Sequence, residues 1–231
     1  MAGRSTGQGN AAGPPTGRVG AGGPGAGGFA ASLKKGGAPS LFWSEVTVQG
    51  RPRVLVLDAV ADRDGWEAEA TQRIAASLVR RDILVVGGAP VHVSSPDEIA
   101  VAVESAADFN CIFLTARADG SLTAAECWRA LQESLAGETK LFAMCTWDSA
   151  DPDVSAEVLG SEETFAPVAV AQQEPMSGRG ASLFFMKFFA ELDMHSESTS
   201  SMTGKMVWFG HSKAREIMRR RHYDGRVGLR S

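Results

Sequence analysis

Five short apolar runs, none with polar residues at alternate positions, most constrain what this chain can fold into. Residues 53–61 (RVLVLDAVA), 83–86 (ILVV), 110–115 (NCIFLT), 141–145 (LFAMC) and 165–171 (FAPVAVA) are too short for independent helices and too uniformly apolar for strands with one wet face. They read as strands covered on both sides, which is the condition of a parallel sheet. Parallel neighbours need a crossover between them, and helical signals fill the intervals. Trp66, Ala70, Ile74 and Leu78 recur at spacing four through residue 81, on one helical face. Ser95, Pro96 and Glu98 form a cap, a first helical position and a capping-box partner, opening a helix that buries Ile99, Val103 and Ala106. Thr123 and Glu126 repeat that spacing before Cys127, Leu131 and Leu135, and Gly137 suits the position just past a helix.

Alternation of this kind predicts an α/β protein, a three-layer α/β/α sandwich around a mostly parallel sheet. Val91 and His92 read as a short continuation after Gly87 and Gly88, and an acidic loop is expected after residue 145. Residues 172–180 read as a loop. The helix over 181–194, with Leu183, Phe184, Phe185, Met186, Phe188, Phe189 and Leu192, is apolar nearly all round, so it needs a second covering surface besides the sheet. After a polar break at 198–201, a last helix over 203–221 turns Met206, Val207, Gly210, Ala214 and Ile217 inward.

At 231 residues and 44% hydrophobic composition, the chain is long enough for one α/β domain with tails. The expected organisation is an arm over 1–40, a folded body over 41–212 and a basic end over 213–231. The arm holds 13 of the 26 glycines, has no Asp or Glu, and has too little apolar surface to offset its ordering entropy, so flexibility is expected. Charge divides along the same boundaries: 4 basic and no acidic residues in the arm, 7 and 2 in the C-terminal end, and 12 against 25 in the body, a formal −13 there. The two basic ends are the expected contacts for protein partners; nucleic acid is the less favoured partner.

Cys111, Cys127 and Cys145 are odd in number, widely spaced and without a CxxC or paired-His pattern. This argues against a disulfide framework and a metal site and for an intracellular, reducing compartment. The cytoplasm is the first choice and a mitochondrion or plastid the alternative, since the acid-free N-terminus with Arg4, Arg18, Lys34 and Lys35 has part of a transit-peptide composition. No run approaches the ~20 apolar residues of a membrane span. No GxGxxG joins a strand to a helix, and Thr203-Gly204-Lys205 lacks the rest of a P-loop, so no cofactor is expected. Asp58, Asp62 and Asp64 follow the first strand, but no acid ends the third, which argues against a receiver-type phosphorylation site.

The sequence CIFLTARADGSL at 111–122, followed by LAGETKLFAMCTWDS at 135–149, resembles the caspase family. There the third strand leads into a Ser-His-Gly-Glu-x-Gly loop, and a Gly-Lys-Pro-Lys-Leu-Phe strand leads into Gln-Ala-Cys. QQEPMSGRGASLFFMKFF at 172–189 is similar to the loop and helix after the last core strand of metacaspases and related bacterial domains. The likeness spans roughly residues 53–192 and implies a caspase-like fold whose chemistry is gone. Thr115, Asp119, Gly120 and Leu122 fit the histidine loop, but the histidine position falls on Ala116, or on Arg117 one residue along. Lys140, Leu141 and Phe142 fit the strand before the nucleophile, whose position falls on Trp147, or on Thr146 in a metacaspase-like register. Cys145 is reached only by a further shift. Arg179 falls near the family's substrate-side-chain site, where it would keep an anion contact.

A cysteine peptidase needs a thiolate and a positioned imidazole, and no histidine stands between His92 and His195. The resemblance therefore implies a degenerate dyad and a protein-binding structural or regulatory subunit, without catalytic residues. Two other readings stay open. One is a divergent cysteine peptidase that uses Cys145 with His92 or His195. The other is a flavodoxin-like small-ligand binder, which requires a deep pocket at the strand ends.

Overall fold

A computed structural model describes residues 47–160, 164–197, 201–223 and 225–230. The arm expected over 1–40 lies outside the described residues. The apolar runs form the parallel strands of one sheet: β2 (Arg53–Asp58), β3 (Leu84–Val85), β4 (Val91–His92), β5 (Cys111–Thr115), β6 (Leu141–Cys145) and β7 (Val168–Gln172). A final strand, β9 (Val227–Arg230), pairs antiparallel with β7, giving the order β3–β2–β5–β6–β7–β9. β3 and β4 pair with successive parts of β2, Val54 opposite Val85 and Leu57 opposite Val91. The excursion between them passes through Gly87 and Gly88, both at φ 73, where a side chain would be strained.

The strands bury both faces, as their lack of alternation predicts. Val54, Val56, Cys111, Phe113, Leu141 and Ala143 pack with α1 (Trp66–Val79), α5 (Gly178–Ser196) and α6 (Gly204–Arg220). Leu55, Leu57, Ile112, Leu114, Phe142 and Met144 pack with α2 (Pro96–Ser105), α3 (Ala124–Ser134) and α4 (Pro152–Gly160). This is the expected three-layer sandwich. The caps form where their spacing predicts: Ser95 accepts from the Glu98 N–H at 3.2 Å, and Thr123 with Glu126 makes a complete capping box.

The second surface that α5 requires is α6. Phe184, Phe185, Phe188 and Phe189 are wholly buried, each contributing roughly 1.5–3 kcal/mol, and Phe185 meets Phe113 of β5 with ring centroids 4.8 Å apart. At Gly210 a Cβ would come within 3.2 Å of the Phe188 carbonyl oxygen, so glycine allows the two helix backbones their close approach. Two further strands, β1 (Thr47–Gln49) and β8 (Ser201–Thr203), form a small antiparallel pair just before α6.

The structure corrects five readings. Residues expected as an acidic loop contain α4, because Pro152 starts a helix, the Asp151 side chain accepts from the Asp153 N–H at 2.8 Å, and Val158 reaches the core. The first strand stops at Asp58 rather than at residue 61, and the fifth begins at Val168 and runs on through Gln172. α5 begins at Gly178, three residues early, because Ser177 accepts from the Gly180 N–H at 3.2 Å. Beyond α6, four residues of the basic end return as β9; His211 of α6 hydrogen-bonds the Val227 carbonyl at 2.8 Å and ties the strand to the helix.

Candidate functional site

From β2 the chain first builds outward to β3 and β4, then crosses to β5 on the other side of β2. The carboxyl ends of β2 and β5 therefore flank the point where strand order reverses, the usual place for a site in such sheets. Four residues stand there in one register row: His92 opposite Asp58, Asp58 opposite Thr115, Thr115 opposite Cys145. Thr115 Oγ1 bonds Asp58 Oδ1 at 3.0 Å, and Thr71 Oγ1 of α1 bonds Thr115 Oγ1 at 3.0 Å, so the row and the helix share a hydroxyl chain. Burial pushes the Asp58 carboxyl above its usual range, and the bonds from Thr115 and the Val60 N–H only partly oppose this.

Cys145 lies at the end of β6 with no exposed surface, and its Sγ donates to Gln172 Oε1 at 3.3 Å. Burial pushes its thiol well up, away from the thiolate, as it does for Cys111; Cys127 is pushed up to about 12. Gln172 holds the whole turn after β6. Its Oε1 also accepts from the Thr146 N–H at 3.2 Å, and its Nε2 donates to the carbonyls of Trp147 and, at 2.9 Å, Glu174. Nothing in the sequence singled out Gln172, which reads there as the first residue of a loop. Its role comes from β7 continuing alongside β6 to the same level.

Trp147 is buried beyond Cys145 with φ at 55, a left-handed conformation that is costly for a large side chain. The Met176 N–H donates to its carbonyl at 3.0 Å, and its ring meets Trp66 edge-on with centroids 5.6 Å apart. Its indole Nε1 and the Thr146 hydroxyl are buried without a partner among the described residues. Above this plug lies a shallow crevice of about 380 Å³ lined by Trp66, Asp148, Pro175, Met176, Ser177 and Gly178. Gly178 has to be small there, since a Cβ would stand 2.3 Å from the Trp66 ring.

On the neighbouring loop, Ala116 is buried and its N–H donates to the Cys145 carbonyl at 3.1 Å. Arg117 turns outward and is shared among three carboxylates: Glu67 at 2.6 Å, Asp119 at 2.9 Å and Asp148 at 3.2 Å. Those bonds, Asp119 first and then Glu67, push its pKa up further still. The Ser149 hydroxyl accepts from the Ala118 N–H at 3.0 Å and donates to the Thr146 carbonyl at 2.8 Å, stitching the two strand-end loops together. Arg179 is exposed in the first turn of α5 and does not line the crevice.

The histidines are elsewhere. His92 is three strands from Cys145 in the same row, a backbone separation of about 14 Å at ~4.8 Å per strand. His195 lies about 25 Å along α5 from Gly178, with its ring on Phe209 at 4.5 Å. His211 faces the core and Val227, and His222 follows α6 at φ 56. The structure thus brings Ala116, Cys145 and Trp147 together and leaves His92 and His195 apart from them, while Arg179 follows the crevice residue Gly178. Among the described residues no His, Cys, Asp or Glu cluster could hold a metal ion, and no helix is long and apolar enough to cross a membrane. No family model and no curated protein matches this chain.

Proposed function

We propose that this chain is a catalytically inactive caspase-like domain that acts by binding other proteins, as a structural or regulatory subunit of a larger assembly. One observation carries this reading: at the strand ends where the chemistry would sit, the thiol is bonded within the chain and the space beyond it is filled by a buried indole. Cys145 is engaged by Gln172 and kept protonated by burial, Ala116 supplies no base, and the Trp147 ring occupies the region between β6 and Trp66. A peptidase would need the opposite: an exposed thiolate and an imidazole about 3 Å away. A small-ligand binder of the flavodoxin kind would need a deep pocket where Trp147 packs.

Two measurements test the proposal. Native purification with mass spectrometry of associated proteins should recover the chain in a complex; recovery only as a free monomer counts against it. Incubation with an electrophilic peptide probe should leave Cys145 unlabelled. Stoichiometric labelling of Cys145, lost in Cys145→Ser, would establish the peptidase reading instead.

A further inference from the structure

α6 turns Val207, Gly210, His211, Ala214 and Met218 into the core, so its opposite side faces outward along its whole length. That side carries a shallow depression between its own side chains. A hollow of about 640 Å³ has Trp208 and Phe209 at one end, the small Ser212 between, and Arg219 and Arg220 at the other. Trp208, Ser212, Arg215 and Arg219 follow one another at helical spacings of four, three and four, a single stripe about 17 Å long.

The charges on this face are unevenly matched. Glu216 takes up Lys213 at 3.5 Å and Arg220 at 2.5 Å. Arg219 lines the hollow, Arg215 stands beside it one turn back on the same stripe, and Arg226 follows α6; all three are exposed and make no ion pair with any described residue. They stand close enough to repel: partial burial, then the charges of Arg219 and Arg226, hold the Arg215 guanidinium below its ordinary range, with Glu174 opposing. Gathering unpaired like charges beside half-buried aromatics costs stability in the isolated chain, and an anionic partner with an apolar anchor relieves both deficits.

We infer that the outer face of α6 docks an acidic amphipathic segment of a partner protein, its apolar residues against Trp208 and Phe209 and its carboxylates against Arg215, Arg219 and Arg226. This rests on the protein-binding reading and assigns it a surface. A partner helix lying along α6 suits a stripe of this length, its anchors meeting residues at spacings of three and four. A nucleic acid or an anionic membrane suits it less well. The basic area is one helix long, and residues 41–212 carry a formal −13 that repels any extended polyanion reaching past it.

The test uses the full chain with three probes at equal ionic strength: a fluorescent 16-residue Leu/Glu amphipathic peptide, a 12-nucleotide single-stranded RNA, and phosphatidylserine vesicles. The peptide should bind with an affinity that falls as salt rises. Arg215→Glu/Arg219→Glu/Arg226→Glu should weaken it at least tenfold, and Trp208→Ala should weaken it at low and high salt alike. An unchanged unfolding midpoint in the triple variant shows that the surface, rather than the fold, was altered. Peptide binding that is absent, or indifferent to charge reversal, overturns the inference, and so does tighter binding of RNA or vesicles. If the peptide fails while partners still co-purify, the α6 surface is wrong and the subunit reading stands; Cys145-dependent hydrolysis would sink the subunit reading with α6 untouched.

Discussion

The end of β6 and the outer face of α6 handle polar groups in opposite ways. At β6 the groups that could do chemistry are spent on one another: Gln172 occupies the Cys145 thiol, the Thr146 N–H and the Trp147 carbonyl, while Arg117 is divided among Glu67, Asp119 and Asp148. On α6 and just beyond it, three arginines make no described ion pair, and two half-buried aromatic rings share that outer side. The Trp147 indole N–H and the Thr146 hydroxyl lack partners among the described residues, but both are buried, and the groups already engaged around them offer little to a ligand, because a new contact must first break an internal one. A region left unsatisfied gains from every contact it makes.

This contrast can be broken most severely at Trp147. Trp147→Ala should cost about 4 kcal/mol in denaturant unfolding, because a wholly buried ring leaves a cavity that the stitched loops cannot close. A loss below about 1 kcal/mol would mean that the ring does not plug the strand ends.

The inner side of α6 sets the next effect, through pH. Burial holds His211 down to about 4, below its ordinary 6.5. A histidine depressed in the folded state binds its proton more readily when unfolded, so stability should be complete above about 6.5 and lost as pH falls toward 4. At ~1.4 kcal/mol per pH unit the loss approaches about 3 kcal/mol. Subtracting the stability profile of His211→Gln isolates this contribution, and parallel profiles over that interval would refute it.

Gly210→Ala should cost about 1 kcal/mol, the strain of a methyl set 3.2 Å from backbone at Phe188 outweighing the roughly 1 kcal/mol that alanine gains in a helix. Equal unfolding midpoints for the variant and the parent would show that α5 and α6 are not held this closely. The smallest effect belongs to the open face. Arg215→Glu/Arg219→Glu should shift stability by no more than about 0.5 kcal/mol, in either direction, while changing what binds there. A large destabilisation would make these arginines structural and remove the contrast.

Much of the framework was legible beforehand, because local chemistry controls it. Ser95 with Glu98 and Thr123 with Glu126 cap helices wherever they occur in that spacing, and LFAMC or CIFLT can hardly do other than form covered strands. α4 and β9 were missed because their signals are weak in isolation: α4 is short and acidic at its start, and Val227–Arg230 is polar enough to pass for a tail. The candidate site was legible only as a place. Ala116, Cys145 and Trp147 do meet at the ends of β5 and β6, but Gln172, Arg117 and Trp66, which decide what happens there, stand 51 to 106 residues from one another, and nothing in the sequence placed them together.

By itself, the order of residues determined the α/β class, the helix starts, the two-sided burial of the strands and the need for a cover over α5. Each of these depends on neighbours within about a dozen positions. Only the tertiary structure decided that the cover is α6, that Gln172 closes the turn after β6, and that Trp147 fills the space beyond Cys145. Those outcomes depend on which side chains reach the same few ångströms from distant parts of the chain, and periodicity carries no information about that.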